Sequence, residues 1–148
     1  MGDVSIRPMG IQDLNRVMEI EKRTFITPWD EGSFRSELQQ NKFAHYYVIE
    51  DHEVPFGYCG LWIVYEAAQI TNIAILPEYR GNKYGQQLFS YVLNEARALN
   101  AQELSLEVRV SNLPAQKMYQ KFGMVPVGIR KNYYIDNHED AIVMWVKL

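Results

Sequence analysis

The stretch NIAILPEYRGNKYG (residues 72–85) decides the fold, because an apolar run gives way there to a basic loop that contains two glycines. The run stops at Pro77, and a helical pattern starts at Tyr84. A helix N-terminus leaves about four backbone N–H groups without partners and carries a partial positive charge, a combination that suits a phosphate group. Arg80 and Lys83 add full charges. The loop is therefore a candidate phosphate site, although two solvated cations at an ordinary helix start would give the same pattern.

The apolar pattern before this loop predicts a strand, two helices and three further strands. The strands are expected at 4–8, 43–50, 56–65 and 67–76, the last three as an antiparallel meander. Asp30 is a suitable N-cap for the second helix. The first helix is expected at 11–25, where residues recur at helical spacing: Leu14, Val17, Met18, Glu21 and Phe25.

The pattern after the loop predicts two more helices and three more strands. The helices are expected to run from Tyr84 to about residue 100 and over 112–123, where Gly123 closes the second one. The strands are expected at 103–110, 125–135 and 139–148. This order predicts an α+β (mixed α/β) fold in a single domain, 1–148, with a mostly antiparallel twisted sheet of about seven strands and about four flanking helices.

The composition fits one compact domain and argues against several functional classes. At 148 residues and 47% hydrophobic content, the chain can bury a substantial core. A net charge of −3 argues against a basic nucleic-acid-binding face. No stretch approaches the ~18 apolar residues of a membrane span, which argues against a membrane partner. We expect a cytoplasmic monomer without direct membrane or nucleic-acid partners.

Cysteine and histidine offer neither a reactive thiol nor a metal site. The single cysteine, Cys59, cannot form an internal disulfide, and its surroundings FGYCGLW predict a buried strand with an inert thiol. His45, His52 and His138 lack the spacing of zinc ligands. We therefore expect chemistry without a metal and without a cysteine nucleophile.

A series of segments in order along the chain resembles the Gcn5-related N-acetyltransferase family: NIAILPEY, RGNKYG, QQLFSYVLNEARALN, LSLEVR and NLPAQKMYQKFGM. The loop resembles the family's Arg/Gln-x-x-Gly-x-Gly/Ala motif, in which backbone amides bind the pyrophosphate of acetyl-CoA. Lys83 replaces the middle glycine of that motif. Because the contact uses amides, and because lysine can take a helical conformation, the resemblance still implies acetyl-CoA binding.

A further set of short motifs resembles one branch of that family. The motifs are TPW (27–29), NIAI (72–75), LEVRVSN (106–112), MYQKFGM (118–124), IRKNYY (129–134) and EDAIVM (139–144). Bacterial members of this branch acetylate the N-terminal alanine of a small-subunit ribosomal protein. The resemblance therefore implies an acyltransferase whose partner is the N-terminal segment of a ribosomal protein.

Two side chains become catalytic candidates through this resemblance. By pattern alone, Glu107 shares the polar face of a strand with Arg109, which is typical of a weak, solvated ion pair. Tyr119 shares a helical face with apolar residues, which is typical of a core tyrosine. The resemblance implies instead that Glu107 is the general base and that Tyr119 is the general acid, which protonates or hydrogen-bonds the departing CoA thiolate.

The resemblance also implies which residues contact acetyl-CoA. The backbone at 73–75 would run beside the pantetheine and polarise the thioester carbonyl. Asn112 would combine a helix cap with a cofactor contact. The implied cofactor-binding residues are Ile73, Ala74, Ile75, Arg80, Gly81, Asn82, Lys83, Tyr84, Gly85 and Asn112.

The implied acceptor site lies between two segments, TPWDEGSF (27–34) and RKNYYIDNHED (130–140). In relatives, these segments flank the peptide entrance. Trp29, Tyr133 and Tyr134 would form its walls, although ordinary strand packing would also explain the two tyrosines. Acidic residues near the second segment would attract a basic peptide, although they also suit a solvated turn: Asp136, Glu139 and Asp140.

An α-amine is the more reactive acceptor at neutral pH. With a pKa near 8 it is about a tenth neutral at pH 7, whereas a lysine near 10.4 is neutral only a few times in ten thousand, a difference of about 3 kcal/mol. Two alternatives stay open. The protein could acetylate other protein N-termini, lysine or small amines, or it could be an acyl-CoA-binding sensor without turnover.

Overall fold

The computed structural model describes residues 3–148, which form seven β-strands and four α-helices. The strands are β1 (Val4–Pro8), β2 (Ala44–Asp51), β3 (Val54–Val64), β4 (Ala67–Ile75), β5 (Glu103–Arg109), β6 (Val125–Arg130) and β7 (Ala141–Lys147). The helices are α1 (Leu14–Thr24), α2 (Glu31–Gln39), α3 (Tyr84–Ala98) and α4 (Leu113–Lys121). Short 3-10 turns at Ile11–Asp13 and Pro77–Tyr79 precede α1 and α3.

The strands form one open sheet in the order β1-β2-β3-β4-β5-β7-β6. Every neighbouring pair is antiparallel except β4 and β5, which are parallel because α3 crosses over between them. The predicted meander is present as β2, β3 and β4. The mixed fold predicted from the sequence, with a mostly antiparallel sheet and four helices, is thus confirmed.

The helices cover both faces of the sheet. On β2, the Tyr46 hydroxyl donates to Glu37 of α2, whereas the hydroxyl of the next residue, Tyr47, donates to Glu95 of α3. Since successive side chains of a strand point to opposite faces, α2 and α3 lie on opposite sides of the sheet. Both apolar layers are filled by fully buried side chains, among them Phe34, Phe56, Tyr58, Leu88, Phe89 and Leu104.

The predicted cap of α2 is present, whereas the sequence analysis did not predict a bulge in β4 or the early end of β6. The Asp30 side chain accepts a hydrogen bond from the Ser33 amide at 2.7 Å, which confirms the predicted N-cap of α2. In β4, Thr71 has no residue opposite it on β3 and forms a β-bulge. The strand predicted over 125–135 is shorter than expected, because β6 already ends at Arg130.

Candidate active site

The parallel strands β4 and β5 separate soon after they pair, and a cavity opens between them. They pair only from Ala67 to Gln69 and from Glu103 to Ser105. Beyond these residues, the edge of β4 that faces β5 has no strand partner within residues 3–148, so alternate backbone N–H and C=O groups point into the gap. The gap contains a cavity of about 350 Å³.

The fold brings together seven of the residues predicted for the site. They come from the α1–α2 connection, from β4, β5 and α4, and from the segment after β6: Trp29, Ile73, Glu107, Asn112, Tyr119, Tyr133 and Tyr134 line the cavity. The remaining cofactor candidates lie at the end of β4, in the loop before α3 and at the start of α3. Among these, Ala74 is only 3% exposed.

Glu107 lies on the cavity wall formed by β5, with 11% of its side chain exposed. Gln69 Nε2 donates to Glu107 Oε2 at 3.3 Å, and Arg130 Nε lies 3.5 Å from Oε1. A carboxylate accepts about four hydrogen bonds, so Glu107 can still accept from a substrate or a water. The alternative in which Glu107 pairs with Arg109 is wrong, because Arg109 binds other carboxylates.

Tyr119 presents a protonated hydroxyl to the same cavity. Its ring is 5% exposed and packs against Phe89 of α3 with a centroid distance of 5.1 Å. The hydroxyl has no hydrogen-bond partner among residues 3–148 and yet is not enclosed, so it is open to the cavity. Burial raises the pKa of Tyr119 above its ordinary value, which keeps the hydroxyl protonated as a hydrogen-bond donor.

The loop before α3 ends in a helix N-terminus that no side chain caps in the described part of the chain. Gly81 has a φ of 85°, and a Cβ there would meet nothing within 4 Å, so the surface above the loop is open. We expected a helical conformation at Lys83, but it adopts the left-handed one, with φ 63° and ψ 20°. Lysine thus follows the backbone path that glycine takes more easily, at a cost of about 1 kcal/mol.

Arg80 is tied to the end of β4. Its Nε donates to the carbonyl oxygen of Ile75 at 3.0 Å, while its carbonyl accepts from Asn82 Nδ2 at 3.4 Å. Gly85, the second residue of α3, lies close enough to Ile75 and Met118 that a Cβ would be 3.8 Å from each side chain. The positive loop, the free edge of β4 and the cavity therefore form one continuous strip.

Arg109 holds the segment after β6 (residues 131–140) against β5. Its guanidinium binds Asp136 Oδ2 at 2.9 Å and Glu139 Oε1 at 3.3 Å, and it stacks 3.9 Å from the ring centroid of Tyr134. Burial raises the pKa of Tyr134 to about 12, so this ring stays neutral beneath the cation. Because these contacts take the chain away from β7, β6 ends at Arg130 and the predicted extension to residue 135 is wrong.

The acidic residues of this segment stabilise it internally. Besides binding Arg109, Glu139 accepts a hydrogen bond from the Ser111 amide at 2.7 Å. Asp140 accepts one from the Asn132 amide at 2.9 Å. These contacts give the acidic residues an internal role, and their attraction of a basic peptide stays a prediction. Hydrogen bonding from Ser111 lowers the pKa of Glu139 to about 2.

Acidification should weaken this cluster. Folding lowers the pKa of Glu139 from 4.5 to about 2, so its stabilising contribution is complete above about pH 5 and is lost as the pH falls toward 2. We expect the free energy of unfolding of Glu139→Gln to fall less steeply than that of the wild type over this range. Urea unfolding at a series of pH values gives the free energy of unfolding of both proteins as a function of pH. Equal slopes for the two proteins would contradict the contacts assigned to Glu139.

Sequence patterns missed Glu21, Gln69 and Asn72, which line the cavity, and Tyr58, which hydrogen-bonds to Glu21 and Asn72. Glu21 did carry a signal, because it is a carboxylate at helical spacing with apolar residues and is only 2% exposed in the structure. Gln69 and Asn72 look like ordinary strand residues until β4 and β5 separate beside them. Tyr58 contacts the Glu21 carboxylate across the core, a long-range contact that no local pattern reports.

Cys59 is fully buried in β3, as its surroundings predict, and burial raises the pKa of its thiol. Residues 3–148 contain no group of three or more His, Cys, Asp or Glu side chains placed to hold a metal ion. Over the same residues, no helix has both the length and the apolar character to cross a membrane.

Comparison with known proteins identifies similar sequences along almost the whole chain. The model of the Acetyltransferase (GNAT) family matches residues 14–124. The chain is 54% identical over 144 residues to a protein of Bacillus subtilis (strain 168) that is provisionally named ribosomal protein bS18-alanine N-acetyltransferase. That match covers 97% of this chain and 95% of the relative.

Solved structures share the fold. The ribosomal-protein-S18-alanine N-acetyltransferase from Escherichia coli matches with a TM-score of 0.90 and 29% identity, over 97% of this chain and 93% of that one. Arabidopsis thaliana NAA60 in complex with acetyl-CoA matches with a TM-score of 0.87 and 17% identity, over 98% of each chain. The family match over most of the chain and the high identity to the Bacillus relative show that this chain belongs to the Acetyltransferase (GNAT) family and is an acyltransferase.

Proposed function

We propose that the protein transfers the acetyl group of acetyl-CoA to the α-amine of the N-terminal alanine of a small-subunit ribosomal protein. The observation that carries the proposal is the cavity between β4 and β5, which Glu107 and the open hydroxyl of Tyr119 line together. The names of the Bacillus and Escherichia relatives support the choice of bS18 as the acceptor. A ribosomal acceptor supports a cytoplasmic location for the reaction, which is part of the proposal.

Acetyl-CoA fits the strip that runs from the basic loop to the cavity. The uncapped N-terminus of α3, with Arg80 and Lys83 beside it, offers amides and positive charge to the pyrophosphate. The free edge of β4 at Ile73–Ile75 offers backbone groups to the amides of the pantetheine. The bound molecule supplies an activated acetyl group, so no enzyme nucleophile is required.

Glu107 is proposed to accept the proton that the attacking amine loses. A carboxylate is a much weaker base than an amine, so a relay through a water is more favourable than direct abstraction from an ammonium. Gln69 and Arg130 hold the two oxygens of Glu107, which fixes the direction in which the carboxylate faces the cavity. An α-amine is the better nucleophile here, because its neutral fraction at pH 7 far exceeds that of lysine.

Tyr119 is proposed to stabilise the departing thiolate. Burial raises the pKa of Tyr119 above its ordinary value, which makes complete proton transfer to a thiolate less favourable. A hydrogen bond from the hydroxyl to the developing charge needs no such transfer. In this account Tyr119 acts mainly as a donor, and the thiolate takes its final proton from solvent.

Arg80→Ala tests the proposed pyrophosphate contact. We expect it to weaken acetyl-CoA binding about 10-fold, the scale of a lost hydrogen bond to a charged group. Isothermal titration with CoA gives the dissociation constant. Arg35→Ala is the matched control, because Arg35 lies on α2 and pairs only weakly with Glu31, at 3.5 Å. Equal affinities for both variants would contradict the assignment of the loop.

Mass spectrometry of paired peptides tests the acceptor chemistry. One peptide begins with a free alanine and contains an internal lysine, and its partner is identical but blocked at the N-terminus. The proposal predicts one acetyl group on the first residue of the free peptide and none on the blocked one. Label on lysine in both peptides would contradict it, and CoA binding without any label would favour the sensor alternative.

A further inference from the structure

We infer that Glu21 is a positioning residue for the acceptor, because it fixes two flanks of the cavity relative to each other. One flank is the α1–α2 connection (residues 25–30), called the entrance segment here, which contains Trp29. The other flank is the free edge of β4 at Asn72. Glu21, Trp29 and Asn72 all line the cavity. The inference rests on the proposed function, which assigns this cavity to the reacting amine.

The carboxylate of Glu21 joins these flanks through a short chain of hydrogen bonds. Glu21 Oε2 accepts from the backbone N–H of Trp29 at 2.8 Å. Glu21 Oε1 accepts from the hydroxyl of Tyr58. The oxygen of that hydroxyl accepts from Asn72 Nδ2 at 2.8 Å. Three elements, α1, β3 and β4, are therefore linked with the entrance segment at a single buried carboxylate.

The direction of the hydrogen bonds explains why a carboxylate is needed. Asn72 donates to Tyr58, Tyr58 donates to Glu21, and Trp29 donates to Glu21 from the other side. The amide of Asn72 is oriented by its own oxygen, which accepts from the Thr71 hydroxyl at 3.0 Å. The chain must end in a group that accepts at both of its oxygens, which glutamate does and glutamine cannot do.

Simple packing does not account for this residue. Glu21 is 2% exposed, and burial raises its pKa because the surroundings disfavour the charge. An apolar side chain would fill the same space without that cost. The ring of Trp29 also packs 5.2 Å from Phe34, centroid to centroid, so the entrance segment is held by both its backbone and its side chain. The role of the carboxylate is therefore to hold the Trp29 amide and, through Tyr58, the Asn72 side chain at the cavity.

Steady-state kinetics of Glu21→Gln separates positioning from general stability. We expect the KM for the free-alanine peptide to rise about 10-fold, the scale of an unsatisfied buried group, while the KM for acetyl-CoA changes less than about 2-fold. Tyr58→Phe should change the same constant in the same direction, because loss of the hydroxyl breaks its bonds to Glu21 and Asn72 and leaves only the bond from the Trp29 amide to Glu21. Glu19→Gln is the control, since Glu19 lies on the same helix and is exposed beside Arg16.

Hydrogen exchange of the entrance segment supplies a readout that does not need turnover. In Glu21→Gln we expect faster exchange at the Trp29 amide, with unchanged exchange in the loop at 80–85. An unchanged acceptor KM, or an equal rise in both KM values, would overturn the inference. If the wild type acetylates no peptide, the proposed function fails by itself, and exchange then decides: loss of protection at Trp29 supports the role of Glu21, and unchanged protection refutes it.

Discussion

Glu107→Gln is expected to lower kcat by about 10²–10⁴-fold, the usual effect of removing a general base. Glutamine keeps the size of the side chain and can still accept from one of the two donors, Gln69 and Arg130, so the cavity should retain its shape. The affinity for acetyl-CoA should remain within about 2-fold of the wild type, because the basic loop lies outside this cavity wall. Initial rates with the free-alanine peptide, together with CoA titration, measure both quantities.

The matched control for this variant is Glu103→Gln. Glu103 lies at the other end of the same strand, where it accepts a hydrogen bond from Trp145 Nε1 at 3.1 Å. A change of charge on β5 that does not reach the cavity should leave kcat near the wild-type value. A near-normal rate in Glu107→Gln, or an equal loss in Glu103→Gln, would remove Glu107 from the proposed mechanism.

Tyr119→Phe is expected to lower kcat by about 10²-fold, the scale of losing one donor to a developing negative charge. The hydroxyl makes no hydrogen bond to another group within residues 3–148, so its removal leaves no protein partner unsatisfied. We therefore expect little change in the thermal midpoint of unfolding. Because burial raises the pKa of Tyr119, the wild-type rate should show no alkaline decline from this group near its ordinary pKa.

Tyr91→Phe provides the comparison for Tyr119→Phe. Tyr91 lies on α3 and packs against the ring of Tyr47 at 5.6 Å, away from the cavity. Its variant should turn over at the wild-type rate. If Tyr119→Phe keeps its rate but loses several degrees of thermal stability, Tyr119 is a core residue, as its sequence pattern alone suggested.

The order of strands and helices could be predicted from the sequence because local signals agree along most of the chain. Alternation in β5 places Leu104, Leu106 and Val108 in the core, and the glycine-bearing loop marks the start of α3. The segment after β6 could not be predicted in this way. Its tyrosines and branched residues favour a strand, but Arg109 binds Asp136 and Glu139 and draws the segment toward the cavity. That competition depends on tertiary contacts.

The resemblance to the family identified the catalytic candidates Glu107 and Tyr119, and the structure shows that both line the same cavity. Nothing in LSLEVRV distinguishes Glu107 from a solvated carboxylate, because the separation of β4 and β5 depends on how far the two strands pair. The same separation makes Gln69 and Asn72 part of the site. Lys83 differs from these residues, because it replaces a glycine of the family motif in the sequence. In the structure its backbone nevertheless adopts the left-handed conformation that glycine favours.

The acetylation state of the intact acceptor protein is the most direct test of the account. Unmodified small-subunit ribosomal protein bS18, incubated with the purified enzyme and acetyl-CoA, would be analysed by intact mass and by fragmentation. We predict a single acetyl group on the α-amine of the first alanine, absent when Glu107→Gln replaces the wild type. Acetylation confined to lysine side chains, or an unmodified protein under conditions in which the enzyme acetylates other amines, would contradict it.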